Sequence, residues 1–459
     1  MLNYRNAQMF IFLERVAGSL AFDRRTFVIE SLGLAAAVSV AKSGCAAQPA
    51  AVAAEPQNSR RLGLVLGSLV GDALGGPIEF SSEPSAKQML CDARRWPSGK
   101  TLTPPVLARL GEDLPLLGYD KLRPATASYG PWLREAMPGT ITDDSRHKIV
   151  LQRAVRGCLR KKTGLTTESL ANEYVQFRCR TDREDSEDLQ QLVDEGFREY
   201  RYAARWLLGE RDLATSRPPA RLWSGVNNCS GQMLLLNMAI AYAGRSDAAY
   251  QAAFGIDFVD TPQARDFAAA IVAGLAAALD DKLEQSSPEE RFEVFCTALR
   301  NTDPYEIAAV PFAGRRLNYW LDLADELVEE TGGSPGKMYE LLESRGEPKF
   351  WWDAHFTLLV PLCLLKLCPG SPLAAMHLAL DFGHDTDSYA QVLGAIAGAC
   401  YGAELFPERF RNAVRDRMLA DYGEDPLQWP VEWTRYAELV EKEQNPAPKS
   451  AVAPSKESR

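Results

Sequence analysis

The chain is 459 residues long and 46% apolar, enough to bury a sizeable core in one large domain or two ordinary ones. Its formal charge of −10, with no stripe of Lys and Arg interleaved with aromatics, argues against nucleic-acid binding and favours small molecules or neutral surfaces as partners. The cysteines form no Cys-x-x-Cys pair and the only histidines are His147, His355, His377 and His384, so neither a disulfide framework nor a zinc or histidine-rich centre is expected.

Residues 1–54 read as an export signal with a small-residue linker. Asp23-Arg24-Arg25-Thr26-Phe27-Val28-Ile29 precedes a modestly apolar run from Ser31 to Ala41 and a small-residue stretch from Gly44 to Ala54. That is the order of a twin-arginine signal, with cleavage near the closing Ala-Val-Ala-Ala string. The apolar run is too short to anchor the chain in a membrane. Lys42 stands where a lipoprotein signal before Cys45 wants an aliphatic residue. The expected location is therefore periplasmic or otherwise extracytoplasmic; the alternative is a cytoplasmic protein with a frayed leader.

The first body segment, Leu62 to Phe80, carries many glycines in an apolar helical run. Each interior glycine costs a helix roughly 1 kcal/mol relative to alanine, so a close helix-on-helix approach at the centre of a bundle is the expected compensation. Pro77 ends this helix and leaves Glu79 on a loop, where an isolated acid is commonly solvated. Apolar positions then recur at helical spacing over Asp144 to Leu159, Leu189 to Leu208, Gln232 to Ala243, Ala264 to Leu279, Arg316 to Val328, Phe356 to Leu367 and Ser388 to Tyr401. Pro104-Pro105, Gly332-Gly333-Ser334-Pro335 and Pro369-Gly370-Ser371-Pro372 punctuate them. No alternating run bounded by tight turns argues for a sheet. The spacing predicts an all-α, single compact multi-helix domain over residues 55–443, followed by a Pro-, Ala-, Ser- and Lys-rich tail at 444–459 expected to be disordered.

Two acidic strings carry the chemistry: Thr142-Asp143-Asp144-Ser145, and Asp385-Thr386-Asp387-Ser388 near the end of the body. Each sets two carboxylates and a hydroxyl at the mouth of an apolar helix. If the fold joins them, hard oxygen ligands converge on one spot, a composition suited to magnesium, manganese or calcium. An acidic helix start is also explained by capping and by the helix dipole, and both readings stand for either string alone. Arg146, His147 and Lys148 are expected on a solvated helix face, and the Phe350-Trp351-Trp352 cluster in the core.

Gly71-Asp72-Ala73-Leu74-Gly75 leading to Glu79, then the two acidic strings, the second within Gly383-His384-Asp385-Thr386-Asp387-Ser388 and followed by the small-residue helix Gly394 to Gly402, together resemble the ADP-ribosylglycohydrolase family. The resemblance spans about residues 60 to 415 and implies an all-α fold with a site for two divalent cations, Mg2+ or Mn2+. It implies Thr142, Asp143, Asp144, Asp385, Asp387 and Ser388 as ligands, with Asp143, Asp144 and Glu79 as catalytic candidates. Where many members have Gly-Asn-Gly followed by Met-Arg, this chain has Val226-Asn227-Asn228-Cys229-Ser230-Gly231-Gln232-Met233. Asn227, Asn228 and Ser230 are accordingly candidates for substrate contact or for capping the next helix, and His384 for ligand contact or a solvent-facing position.

The implied activity is metal-dependent hydrolysis of a glycosidic bond at a ribose anomeric carbon, on a small-molecule or ADP-ribosylated substrate, with no nucleic acid and no stable membrane anchor as partners. A two-metal phosphohydrolase and a catalytically silent binding protein of the same fold are the alternatives; the sequence does not fix the oligomeric state.

Overall fold

A computed structural model describes residues 56–80, 96, 99–114, 138–180, 186–311 and 314–444, so the proposed signal and the tail from 445 lie outside the described residues. Among the described residues the chain is helical, with no strand and a single isolated bridge between Asn228 and Asp353. The helices are α1 (Pro56–Gly75), α2 (Pro104–Glu112), α3 (Asp143–Lys161), α4 (Thr167–Gln176), α5 (Ser186–Gly196) and α6 (Arg198–Leu207). They continue with α7 (Pro219–Leu222), α8 (Ser230–Leu235), α9 (Ser246–Phe254), α10 (Pro262–Ala278), α11 (Pro288–Asn301) and α12 (Arg316–Thr331). The last six are α13 (Pro335–Arg345), α14 (Ala354–Leu367), α15 (Pro372–Phe382), α16 (Thr386–Tyr401), α17 (Glu408–Tyr422) and α18 (Trp429–Gln444). The described residues fall in one compact unit, and no described helix is long and apolar enough to cross a membrane.

The local chemistry accounts for many of the helix boundaries. Thr142, Thr166, Thr261, Ser287 and Ser334 each accept a hydrogen bond from a backbone N–H in the first turn of the helix that follows. Proline stands at the start of α10, α11, α13 and α15, where its missing N–H has no partner to lose. Gly332 ends α12 in the left-handed region at φ 57°.

At the centre, α1 and α16 run antiparallel with their backbones almost touching. A Cβ built on Gly63 would lie 2.3 Å from the Gly398 carbonyl oxygen, one on Gly67 2.0 Å from that of Gly394, and one on Gly71 2.0 Å from that of Ala390. The last glycine of the series, Gly75, meets the Asp387 backbone at 2.4 Å. Glycine every fourth residue on α1 is therefore a groove for α16, as expected of a helix at the middle of a bundle. The same groove sets Asp387 at the C-terminal end of α1, and Thr386 Oγ1 donates to the Gly75 carbonyl at 2.8 Å.

Two predicted helices differ. The run Leu189 to Leu208 breaks at Gly196 into α5 and α6, because Gly196 is a weak helix former and Phe197 turns fully inward, its ring 5.3 Å from those of Tyr174 and Phe177. Gln232 to Ala243 begins within α8 and then tightens into a 3₁₀ helix, Leu236–Tyr242, every residue of which is buried.

Candidate metal centre

The two acidic strings meet. Thr142 caps α3, its Oγ1 accepting from Asp144 N at 3.2 Å. Asp72, fully buried on α1, accepts from Thr142 N at 3.0 Å and from Ser145 N at 3.1 Å, so a carboxylate from another helix fixes the mouth of α3. Across from it, Gly383 (φ 84°) and His384 (φ 66°) turn the chain so that Asp385 leads into α16. Phe80 N donates to the His384 carbonyl at 2.7 Å, tying the loop that carries Glu79 to the loop that carries Asp385.

The result is a buried acidic group. Glu79, Asp385 and Asp387 offer carboxylate oxygens that all lie within 4.8 Å of one another. Asp387 Oδ1 accepts from Ser388 N at 3.0 Å, whereas Asp385 Oδ2 is buried with no hydrogen-bond partner. Ser388 Oγ donates to the Asp144 carboxylate at 3.1 and 3.3 Å. Asp143 is half-buried, and its charge is felt by Asp144, Asp385 and Asp387.

Burial and mutual repulsion both disfavour ionisation here. Desolvation and then Asp387 push Asp144 well above the usual carboxylate range, and the same two causes raise Asp385. Asp387 rises to about 7 through burial, then the charges of Asp72 and Asp143. Asp72 is raised by burial against the opposing pull of Lys148. Carboxylates held this way bind either protons or cations. An orphaned buried oxygen on Asp385, among all-oxygen donors and with no histidine in the group, fits a hard divalent ion such as Mg2+ or Mn2+.

Several expectations need correction. Arg146, His147 and Lys148 do not face solvent: they are 3%, 0% and 0% exposed. The α3 helix packs against α1, α4, α8, α16 and α18, and every residue from Asp144 to Gln152 is buried. Arg146 Nε donates to Tyr422 OH at 2.9 Å, and His147 Nδ1 lies 2.5 Å from Tyr174 OH within a cage of Tyr174, Phe197 and Tyr200. Lys148 Nζ donates to the Asp144 carbonyl at 3.1 Å and to Gln391 Oε1. Glu79 is only 7% exposed and belongs to the acidic group. Phe350, Trp351 and Trp352 are half-buried rather than core residues, because the loop before α14 holds them against the site's own loops. The Trp351 ring stacks on His384 at 3.6 Å, and Trp352 meets Phe80 edge-on at 5.7 Å.

In the middle segment each candidate side chain has a partner within the protein. Asn227 engages Thr261 Oγ1 at 2.6 Å and Gln263 at 3.3 Å, while Asn228 Oδ1 accepts from Ser230 N at 3.4 Å. Ser230 Oγ pairs with Tyr200 OH at 2.5 Å. His384 Nε2 lies 3.1 Å from Glu343 Oε1, and the half-buried ring stacks on Trp351.

Four further residues of the site lie outside the sequence expectations. Asp72 is the sole charge in the glycine-rich run from Leu62 to Ile78, a visible signal. Lys148 follows Asp144 by four residues and Gln391 follows Asp387 by four, so each sits one turn below an acid on the same helix face. Cys229, fully buried, has its Sγ 3.6 Å from Ser388 Oγ and carries no comparable signal.

A sequence model described as ADP-ribosylglycohydrolase matches residues 53–445. A solved structure described as an ADP-ribosylglycohydrolase-related protein complex aligns with a TM-score of 0.47 and 19% identity, covering 83% of this chain and 99% of that one. A comparison with curated proteins gave no match.

Proposed function

Because the chain belongs to the ADP-ribosylglycohydrolase family, we propose that it is a divalent-cation-dependent hydrolase that cleaves a glycosidic bond at a ribose anomeric carbon, in an ADP-ribosyl-type or related nucleoside substrate. The observation that carries this reading is the buried trio Glu79, Asp385 and Asp387 with the unpartnered Asp385 Oδ2. Mg2+ or Mn2+ held there would orient ribose hydroxyls and lower the pKa of a water.

The protein's own groups supply the rest. Asp385, Asp387 and Glu79 would hold the ion, with Thr142, Asp143, Asp144 and Ser388 as the further oxygen groups of the two acidic strings. As the leaving group departs, positive charge grows on the sugar ring, and a cluster of carboxylates stabilises it. Asp143, half-buried where its neighbours are fully buried, and Glu79, on a loop rather than a helix, are the groups we assign to proton transfer. The wall of Phe80, Trp351, Trp352 and His384 beside them offers apolar and aromatic faces to a sugar or base.

The test is product analysis with ADP-ribosylated peptide and ADP-ribose-linked small molecules in the presence of Mg2+ or Mn2+. Cation-dependent release of the ribosyl group is expected, lost in Asp387→Asn by at least a factor of 100 while the helical circular dichroism spectrum persists. Release of inorganic phosphate instead would make the protein a phosphohydrolase. Binding of cation without turnover of any ribosyl substrate would make it a silent member of the family. We place its work outside the cytoplasm, on the strength of Arg24-Arg25 and the stretch that follows.

A further inference from the structure

The α3 and α16 helices start side by side, and each places a polar side chain one turn below its acid: Lys148 below Asp144, and Gln391 below Asp387. The two pair across the helix interface. Lys148 Nζ donates to Gln391 Oε1, and Gln391 Nε2 donates to Asp144 Oδ1 at 2.5 Å. Lysine, amide and carboxylate thus form a polarised chain in which every donor points toward Asp144, with all three side chains fully enclosed. Lys148 also donates to the Asp144 main-chain carbonyl and interacts electrostatically with Asp144, Asp72 and Asp387. A primary amine is rarely enclosed without anionic partners, and these are the anions that surround it.

The acidic group therefore divides in two. On one side, Glu79, Asp385 and Asp387 converge with an unpartnered oxygen. On the other, Asp144 has its two oxygens taken by Ser388 Oγ and Gln391 Nε2, and its main-chain carbonyl by Lys148 Nζ. We propose that the Lys148–Gln391 pair stands where a second cation would be needed, so that this chain binds one divalent ion, at Glu79, Asp385 and Asp387, with the Lys148 amine and the Gln391 amide filling the place beside Asp144. The inference rests on the metal-dependent reading above, and departs from the two ions that the family resemblance implies. Lys148 is a positioning residue: it holds the Asp144 backbone and the Gln391 amide in place, and touches no substrate. A lysine cannot be chelated away, so its amine stays in place when the ion is removed.

Mn2+ binding to the full-length protein decides the matter, by equilibrium dialysis for stoichiometry and by electron paramagnetic resonance for ion–ion coupling. One Mn2+ per chain is expected, with the six-line signal of an isolated ion and no exchange-coupled pair. Asp385→Asn should weaken that binding at least tenfold. Lys148→Met, similar in length but without the amine, should raise the stoichiometry toward two, because the place beside Asp144 is then open to a cation. Two coupled Mn2+ ions in the wild type would overturn the inference and leave the metal-dependent hydrolase standing. No Mn2+ bound at all would overturn both. A folded Lys148→Met that still takes one ion would overturn the role given to Lys148. Should that variant fail to fold, the wild-type stoichiometry and spectrum decide alone.

Discussion

His147 shows how burial fixes the charge of a single side chain. Enclosed by Tyr174, Phe197 and Tyr200, its pKa falls to about 3, chiefly through desolvation and then through the neighbouring charges of Lys148 and Arg146. An unfolded chain protonates its histidine near pH 6.5, so below that pH the unfolded state binds a proton that the folded state refuses. Stability from this residue is complete above pH 6.5 and drains away as pH falls toward 3. His147→Gln keeps a polar partner for Tyr174 OH and cannot titrate. In metal-free protein, urea unfolding should show the wild type more stable than the variant at pH 7, with the gap narrowing by roughly 1–2 kcal/mol at pH 5. A gap that is the same at both pH values would contradict the assignment. The acids pull the other way: Asp387, raised to about 7, holds its proton in the metal-free fold between the ordinary carboxylate range and neutrality, so its contribution declines as pH rises through that window. The sequence misleads at His147 and Lys148 for a physical reason. Charged types after an acidic cap look like a solvated face, and only the crowd of helices around α3 reverses that.

At the scale of elements, the α1–α16 contact turns helix packing into site geometry. Gly71 on α1 abuts Ala390 on α16, three residues after Asp387 and one before Gln391. A methyl group at Gly71 would lie 2.0 Å from the Ala390 carbonyl oxygen and 2.4 Å from its carbon, backbone atoms that cannot swing aside. Gly71→Ala must therefore push α16 off α1, at a cost of about 3 kcal/mol or more. Asp387 and Gln391 move with α16 while Glu79 and Asp72 stay with α1, so melting temperature and Mn2+ affinity should fall together. Gly157→Ala is the control. It lies within α3, with only the end of the Arg160 side chain 3.9 Å away, and should stabilise the protein by about 1 kcal/mol through helix propensity. A Gly71→Ala protein with unchanged affinity would separate packing from the site. This contact is legible in the sequence because glycines spaced by four weaken an apolar helix unless a second backbone lies against them. The Lys148–Gln391 pair is not, because its members lie 243 residues apart and each alone reads as an ordinary polar residue.

For the whole molecule, helical spacing and Pro/Gly punctuation make the all-α body legible, since a 3.6-residue period survives whatever the helices pack against. The half-buried wall of Phe80, Trp351 and Trp352 is beyond that reach, because composition cannot tell a core aromatic from one at the rim of a site. The body is anchored at its own start: Arg60 donates to the carbonyls of Ala278 at 2.7 Å and Asp280 at 3.2 Å, and Arg61 pairs with Asp281 at 3.1 Å. All the site residues come from positions 72 to 391. A chain shortened near residue 54 therefore keeps every contact described for the site, as the export reading proposed above requires. The twin-arginine route carries folded proteins, which suits a site assembled from helices far apart in the chain. Wild-type protein should then be recovered outside the cytoplasm as a shortened, folded form. Arg24→Lys with Arg25→Lys should leave the full-length chain inside, since that route reads the arginine pair rather than the charge. Cell fractionation with amino-terminal sequencing measures both. A wild-type chain found in the cytosol with its original amino terminus would end the export reading, and would return a cytosolic nucleotide or ADP-ribosylated protein to the front as substrate.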